Sequence, residues 1–309
     1  MRILLHRADG NAAPWVADFA EHMPEAEVVV WNEREIQPPC DYAVLWAPPA
    51  AMVPALAQVK AIFLTGAGAD GILKFGEALP QVPIVRLGDA GMAAQMAEYV
   101  THAVLRYFRR LDEFEAQARK GVWQQLDGFR REDFTVGVMG LGVLGRPVLD
   151  ALAHFGFPLR GWSRTAKDIP GVACFHGAEG LDDFLRGTRV LVCMLPLTPQ
   201  TTNLLDRAHL AKLPQGAYLI NVARGAHVAE PDLLTLIKSG HIAGATLDVF
   251  RNEPLPAPHP FWQEPRITIT PHISALTLRT ESVRQIVDKL RALERDEPVA
   301  DVVNRKEGY

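Results

Sequence analysis

The chain has 309 residues, 48% of them apolar and 22% charged, with 32 Lys and Arg against 36 Asp and Glu for a formal net charge of -4. At roughly 100 to 200 residues per domain, this length provides for about two domains, and the balanced, interspersed charge argues against a nucleic-acid-binding surface. The opening Met1-Arg2-Ile3-Leu4-Leu5-His6 holds too short an apolar run for a signal peptide, and no stretch approaches the roughly 20 apolar residues of a membrane span, so a cytoplasmic protein without membrane contact is expected.

From residue 1 to about 90, short apolar runs alternate with turn-rich or helical stretches: Arg2 to Leu5, Val28 to Trp31, Ala43 to Trp46, Ala61 to Thr65 and Ile84 to Leu87. Runs of four or five aliphatic residues read as parallel strands buried on both faces. Gly91 to Arg110 then shows apolar residues at approximate helical spacing and predicts a long helix. A second series follows: Thr135 to Met139, Leu159 to Trp162, Val190 to Leu195, Ala217 to Val222, Ala243 to Val249 and Ile267 to Thr270, with helix-compatible segments between. This alternation predicts a doubly wound parallel sheet. A last helix over Leu276 to Arg295 is expected to complete the first domain, so that the second is inserted into it. Cys40, Cys174 and Cys193 lack any C-x-x-C spacing, and the 10 histidines show no metal-ligand pattern, so neither a disulfide framework nor a metal site is expected.

Gly140-Leu141-Gly142-Val143-Leu144-Gly145 is a G-x-G-x-x-G motif between the strand Val136 to Met139 and an apolar helix pattern. In that context it predicts dinucleotide binding. The first glycine permits a tight turn, the second lets the backbone approach a pyrophosphate, and the third allows close helix packing. Helix amides then face the phosphates. About 20 residues on, where an acidic residue would hold a free ribose 2'-hydroxyl, the chain reads Trp162-Ser163-Arg164-Thr165. Arg164 suits a 2'-phosphate, with Ser163 and Thr165 as hydroxyl partners, so NADP(H) is preferred over NAD(H).

Three further clusters follow strands: Asn221-Val222-Ala223-Arg224-Gly225, Leu247 to Pro254 with Asp248 and Glu253, and Pro271-His272-Ile273-Ser274. Arg224, His272 and Glu253 make a working set: a guanidinium to clamp a carboxylate, an imidazole to move a proton, and a carboxylate to orient the imidazole. Taken singly, each also reads as a surface charge or a capping residue.

With GLGVLG at Gly140 to Gly145, MLPLTPQTTNLL at Met194 to Leu205, NVARG at Asn221 to Gly225, LDVFRNEP at Leu247 to Pro254 and PHIS at Pro271 to Ser274, the whole chain resembles the D-isomer-specific 2-hydroxyacid dehydrogenases. Within that family it is most similar to the bacterial glyoxylate/hydroxypyruvate reductases. The resemblance implies an α/β protein of two domains, each a doubly wound parallel sheet. A Rossmann dinucleotide-binding domain, 98–274, is inserted into a flavodoxin-like substrate domain, 1–97 with 275–309, with hinges near 90–97 and 272–280.

The resemblance also implies that Arg224 binds the substrate carboxylate and 2-oxo group, that His272 is the acid/base, and that Glu253 pairs with it. Asp248 is then expected by the nicotinamide carboxamide. Pro196, Leu197, Thr198, Val222, Ala223 and Ser274 are expected to border the cofactor beside the glycine loop with its Val143 and Leu144. The loop Thr65 to Asp70, with Ala67 and Gly68, looks like the family's substrate loop, and Trp46 matches an aromatic that narrows the pocket, core packing being an equal reading. Ser274-Ala275-Leu276-Thr277 departs from the small residues usual after the His. The implied reaction is NADPH-dependent reduction of a small 2-oxo acid, glyoxylate to glycolate or hydroxypyruvate to D-glycerate. The alternatives are a different or larger 2-oxo acid, or a nucleotide-sensing binding protein on the same scaffold. Leu111 to Leu126, with Trp123, is the stretch that usually packs on a twin subunit, so a homodimer is expected.

Overall fold

The two series of apolar runs become two parallel sheets in the computed structural model, which describes all 309 residues. The chain divides into one unit of Met1–Gly91 with Thr277–Tyr309 and a second of Met92–Leu276.

In the first unit β1 (Arg2–Arg7), β2 (Glu27–Val30), β3 (Tyr42–Trp46), β4 (Ala61–Leu64) and β5 (Ile84–Val85) form a sheet of order β2-β1-β3-β4-β5. Every pairing is parallel. This is the flavodoxin-like doubly wound order, in which the winding reverses between β1 and β3. Residues Ala43 to Leu45 and Ala61 to Leu64 are buried on both faces, which is why they read as unbroken apolar runs. The helix Arg279–Glu294 belongs to this unit: Asp18, on the helix Ala13–His22, accepts hydrogen bonds from Arg279 Nε at 2.8 Å and Thr280 Oγ1 at 3.1 Å. Tyr42 donates to Glu294 at 2.5 Å.

In the second unit β6 (Val136–Met139), β7 (Leu159–Ser163), β8 (Val172–His176), β9 (Val190–Cys193), β10 (Ala217–Asn221), β11 (Ile242–Leu247) and β12 (Ile267–Ile269) form a sheet of order β12-β11-β10-β9-β6-β7-β8. Its winding reverses at β6, between β7 and β9, as in a Rossmann sheet. β8 is a strand that the reading of the apolar runs passes over, although Val172-Ala173-Cys174-Phe175 is a short apolar stretch. It lies at the sheet edge and none of its five residues is fully buried, so Val172-Ala173-Cys174-Phe175-His176 carries little of the two-faced burial signal. The long helix is also shorter than its periodicity suggests. It spans Met92–Phe108, after which Arg110 adopts a left-handed φ of 56° and a separate helix Leu111–Arg119 begins. Tyr107, near the end of the first of these helices, stacks on Tyr218 of β10 with centroids 4.4 Å apart.

No helix is long and apolar enough to cross a membrane. Cys40 and Cys193 are buried, and burial raises both thiols, that of Cys193 to about 12. Since the thiolate is the nucleophile, iodoacetamide on the native protein should modify the partly exposed Cys174 well before Cys40 or Cys193. Peptide mass mapping after brief treatment checks this, and equal labelling of all three would contradict the burial.

Candidate active site

The glycine loop leaves β6 at the reversal point of the sheet. Gly140 has a φ of 103°, and a Cβ there would lie 2.6 Å from the Met194 carbonyl oxygen. A Cβ on Gly145 would lie 1.8 Å from the carbonyl oxygen of Gly140. Neither position admits a side chain, because the obstacle is backbone in each case. Gly142 differs: a Cβ there would meet nothing within 4 Å, so the chain at this point is open to a ligand's close approach. The helix Gly145–Ala153 starts directly behind, with Leu144 as its N-cap, and Pro147, its third residue, removes an amide that the first turn leaves unbonded. Loop and helix N-terminus together fit a pyrophosphate.

β7 runs out into Ser163-Arg164-Thr165, with no acidic residue following in the chain before Asp168. Ser163 is buried and its hydroxyl donates to the Thr165 carbonyl at 2.8 Å, while Arg164 and Thr165 are exposed. The exposed groups at this end are therefore a guanidinium and a hydroxyl, which suit a phosphate.

After β9, Thr201 ties down the turn Pro196-Leu197-Thr198. Its hydroxyl donates to the Pro196 carbonyl at 2.8 Å and accepts from the Thr198 amide at 2.8 Å. After β10, the fully buried Asn221 accepts from the Ala223 amide at 3.2 Å and donates to the Arg224 carbonyl at 3.0 Å, closing a turn around Val222 and Ala223. Arg224 Nη1 donates to the Ala223 carbonyl at 2.7 Å. Gly225 follows because a Cβ there would lie 1.9 Å from the carbonyl carbon of Phe250.

Asp248, at the end of β11, has no exposed surface. Its side-chain oxygens accept from Thr270 Oγ1 at 2.6 Å and from the amides of Ile273 and Ser274, both at 2.8 Å. Its carbonyl accepts from the His272 amide at 2.9 Å. His272 has a φ of 56°, a left-handed conformation that costs energy in a residue other than glycine and persists only when its surroundings over-determine it. The four bonds from Asp248 supply that determination.

The His272 ring meets Glu253, with Nδ1 2.8 Å from Oε2, while Glu253 Oε1 accepts from the Phe250 amide at 2.9 Å. Burial opposes ionisation of Glu253, but the His272 bond, the Phe250 amide and the charges of His272 and Arg224 outweigh it and hold the carboxyl below its ordinary range. A carboxylate only accepts, so Nδ1 carries the hydrogen and Nε2 is the nitrogen left for another partner. One half-exposed imidazole braced by an anion can thus pass a proton to a bound molecule.

In the first unit, Trp46 ends β3 and is 41% exposed, so its ring is not core packing. Ala67 accepts from Arg86 Nη1 at 3.4 Å, and the Gly66 carbonyl accepts from the Leu87 amide at 3.2 Å, which anchors the Thr65 to Asp70 loop on the segment after β5. Sequence reasoning missed three supporting side chains: Thr201, Asn221 and His227. His227 is fully buried and its ring nitrogens lie 2.9 Å from the Arg224 carbonyl and 3.3 Å from the Pro196 carbonyl, joining two of the loops just described. A lone histidine gives no signal for such a role. The Asn of an Asn-x-x-Arg turn does give one, since a short side chain that bonds its own following backbone is a turn former.

Residues 101–274 match the model of the D-isomer specific 2-hydroxyacid dehydrogenase NAD binding domain. The chain is 44% identical over 314 aligned positions to glyoxylate/hydroxypyruvate reductase A of Yersinia enterocolitica and 45% identical to the protein of that name in Serratia proteamaculans, with all of each chain covered. Among solved structures it is similar to a D-isomer specific 2-hydroxyacid dehydrogenase from Xanthobacter autotrophicus Py2 in complex with NADPH and MES. That match has 39% identity and a TM-score of 0.94, over 100% of this chain and 99% of the other. It is also similar to an NADPH-dependent glyoxylate/hydroxypyruvate reductase from Sinorhizobium meliloti in complex with NADP and sulfate, with 34% identity and a TM-score of 0.92 over the same shares. With matching motifs, sheet order and full-length relatives, the chain belongs to the D-isomer-specific 2-hydroxyacid dehydrogenase family.

Proposed function

We propose that the protein is a cytoplasmic, NADPH-dependent reductase of small 2-oxo acids, converting glyoxylate to glycolate and hydroxypyruvate to D-glycerate. The observation that carries this reading is the 2.8 Å pairing of His272 Nδ1 with Glu253, on a turn held by Asp248. Relatives bearing the reductase name and neighbours crystallised with NADPH or NADP support it.

When bound, NADPH supplies a hydride for C2 of the substrate. His272, carrying a hydrogen on each ring nitrogen, gives the Nε2 proton to the oxygen on C2 and is left neutral with Nδ1–H on Glu253, which keeps the ring oriented, and Arg224 holds the carboxylate and the 2-oxo oxygen through its planar fork. Gly142, Val143 and Leu144 hold the pyrophosphate on the turn that Gly140 and Gly145 shape, and Arg164 and Thr165 meet the 2'-phosphate, while the buried Ser163, whose hydroxyl donates to the Thr165 carbonyl, braces that end of β7. Pro196, Leu197, Thr198, Val222, Ala223 and Ser274 border the nicotinamide half, while Asp248, with no exposed surface, serves from beneath by holding the His272 turn. Trp46, Ala67 and Gly68 are the first unit's contribution to substrate binding, and the substrate domain is taken as 1–97 with 275–309 around a cofactor domain of 98–274.

Arg164→Ala is expected to raise the KM for NADPH far more than that for NADH, because only the former carries a 2'-phosphate. Steady-state kinetics with both cofactors checks this, and equal effects would refute the assignment.

A homodimer is part of the same reading. Leu111, Val122 and Trp123 are exposed apolar side chains, Trp123 completely so, and exposed apolar patches mark interfaces. Trp123→Asp should convert a dimer to a monomer in sedimentation, whereas an unchanged mass would remove this segment from the interface.

A further inference from the structure

At the carboxyl ends of β1 and β3, where the first sheet reverses its winding, Arg7 and Trp46 are direct partners in the parallel register. That is the place in an open α/β sheet where ligands bind. The Arg7 guanidinium carbon lies 4.9 Å from the centre of the Trp46 ring and 4.6 Å from that of Trp15, which is buried on the helix Ala13–His22. Its orientation is fixed from the side by Asp9, which accepts from Nε at 3.1 Å and Nη2 at 2.6 Å, a bidentate pair. Asp9 also accepts from the Asn11 amide at 3.0 Å, and the Arg7 bonds, more than any other influence, hold its carboxyl below the ordinary range. Nη1 reaches Thr65 Oγ1 at 3.4 Å, at the start of the Thr65 to Asp70 loop. One arginine, its side chain only 11% exposed, thus touches both elements that the first unit is proposed to offer the substrate.

We propose that Arg7 is a positioning residue for substrate selection: stacked between Trp15 and Trp46 and locked by Asp9, it holds the otherwise exposed Trp46 indole in one orientation, so that the ring favours a small 2-oxo acid over a bulky one. The proposal rests on the reading of Trp46 as a substrate-facing residue. A planar cation is what the place requires, because it stacks on an aromatic face while its edge is held by a carboxylate. A lysine is a point charge and cannot do both.

The test compares Arg7→Gln, Arg7→Lys, Trp46→Ala and the double variant Arg7→Gln/Trp46→Ala, with glyoxylate and phenylpyruvate as substrates. Arg7→Gln is expected to raise the glyoxylate KM by about tenfold, in the range of a partly desolvated cation–π contact, with kcat changed much less and discrimination against phenylpyruvate reduced. Arg7→Lys should rescue only part of this, and the double variant should be no worse than Trp46→Ala. An independent reading is acrylamide quenching of Trp46, taken as the difference between each protein and its Trp46→Phe counterpart, which should increase in Arg7→Gln. Unchanged quenching, or additive effects in the double variant, would overturn the positioning role. Increased quenching with unchanged KM would instead overturn the substrate-facing reading of Trp46, and with it the selection. If the parent protein turns over no 2-oxo acid, the proposed function fails, while quenching still decides whether Arg7 holds the ring.

Discussion

His272→Ala is expected to lower kcat by about 100- to 10,000-fold, the usual worth of a positioned general acid, while the dissociation constant for NADPH stays close to that of the parent. The separation follows from the geometry. The ring contacts Glu253, and the turn beneath it is held through backbone amides by Asp248, so removing the imidazole leaves those bonds in place. Single-turnover rates together with fluorescence titration of NADPH check both halves, and unchanged turnover would remove His272 from the reaction.

The pH dependence of the parent protein follows from the Glu253 carboxyl. Its folded-state value lies below the ordinary range, so the anion that braces His272 is present above that range and persists as pH falls through it. It is lost only when pH falls through the depressed folded value. Loss of activity caused by Glu253 protonation should therefore begin below about pH 4.3, the unperturbed value for glutamate.

Arg224→Lys is the second large expectation. Losing a planar, two-pronged grip on a desolvated carboxylate costs about 2 to 5 kcal/mol, or roughly 30- to several thousand-fold in kcat/KM. Lysine retains the charge and not the fork, so KM for the 2-oxo acid should rise and kcat fall together, with Arg224→Gln worse still. The turn itself should survive, because it is built by Asn221 bonding the Ala223 amide and the Arg224 carbonyl, neither of which depends on the guanidinium. A variant with normal kcat/KM would contradict the role given to Arg224.

The sheets were legible in the amino-acid sequence where burial is two-sided. Val190 to Cys193 and Ala217 to Ile220 are buried throughout, so each reads as an unbroken apolar run. β8 was passed over: Val172-Ala173-Cys174-Phe175 is apolar but holds one β-branched residue and two small ones, whereas β2, an equally exposed edge strand, shows Val28-Val29-Val30. The end of the long helix was legible to within two residues, although the left-handed Arg110 that makes the break is not announced by its residue type. Of the candidate site, the glycine loop shows in the spacing because backbone stands where a Cβ would go at Gly140 and Gly145. The work of Asp248 does not show. Resemblance places it by the nicotinamide, yet in the fold its oxygens hold Thr270, Ile273 and Ser274, contacts set by the pairing of β11 with β12 and by no motif. Arg7 is hidden in the same way, since its meeting with Trp15 and Trp46 exists only once β1 and β3 are neighbours.

The most direct measurement is oxidation of reduced nicotinamide, followed by its absorbance, in a panel crossing NADPH and NADH with glyoxylate, hydroxypyruvate, pyruvate and phenylpyruvate. Rapid oxidation of NADPH by glyoxylate and hydroxypyruvate, with much slower turnover of phenylpyruvate and of NADH, is the expected result. Equal use of NADH, or a preference for phenylpyruvate, would contradict it.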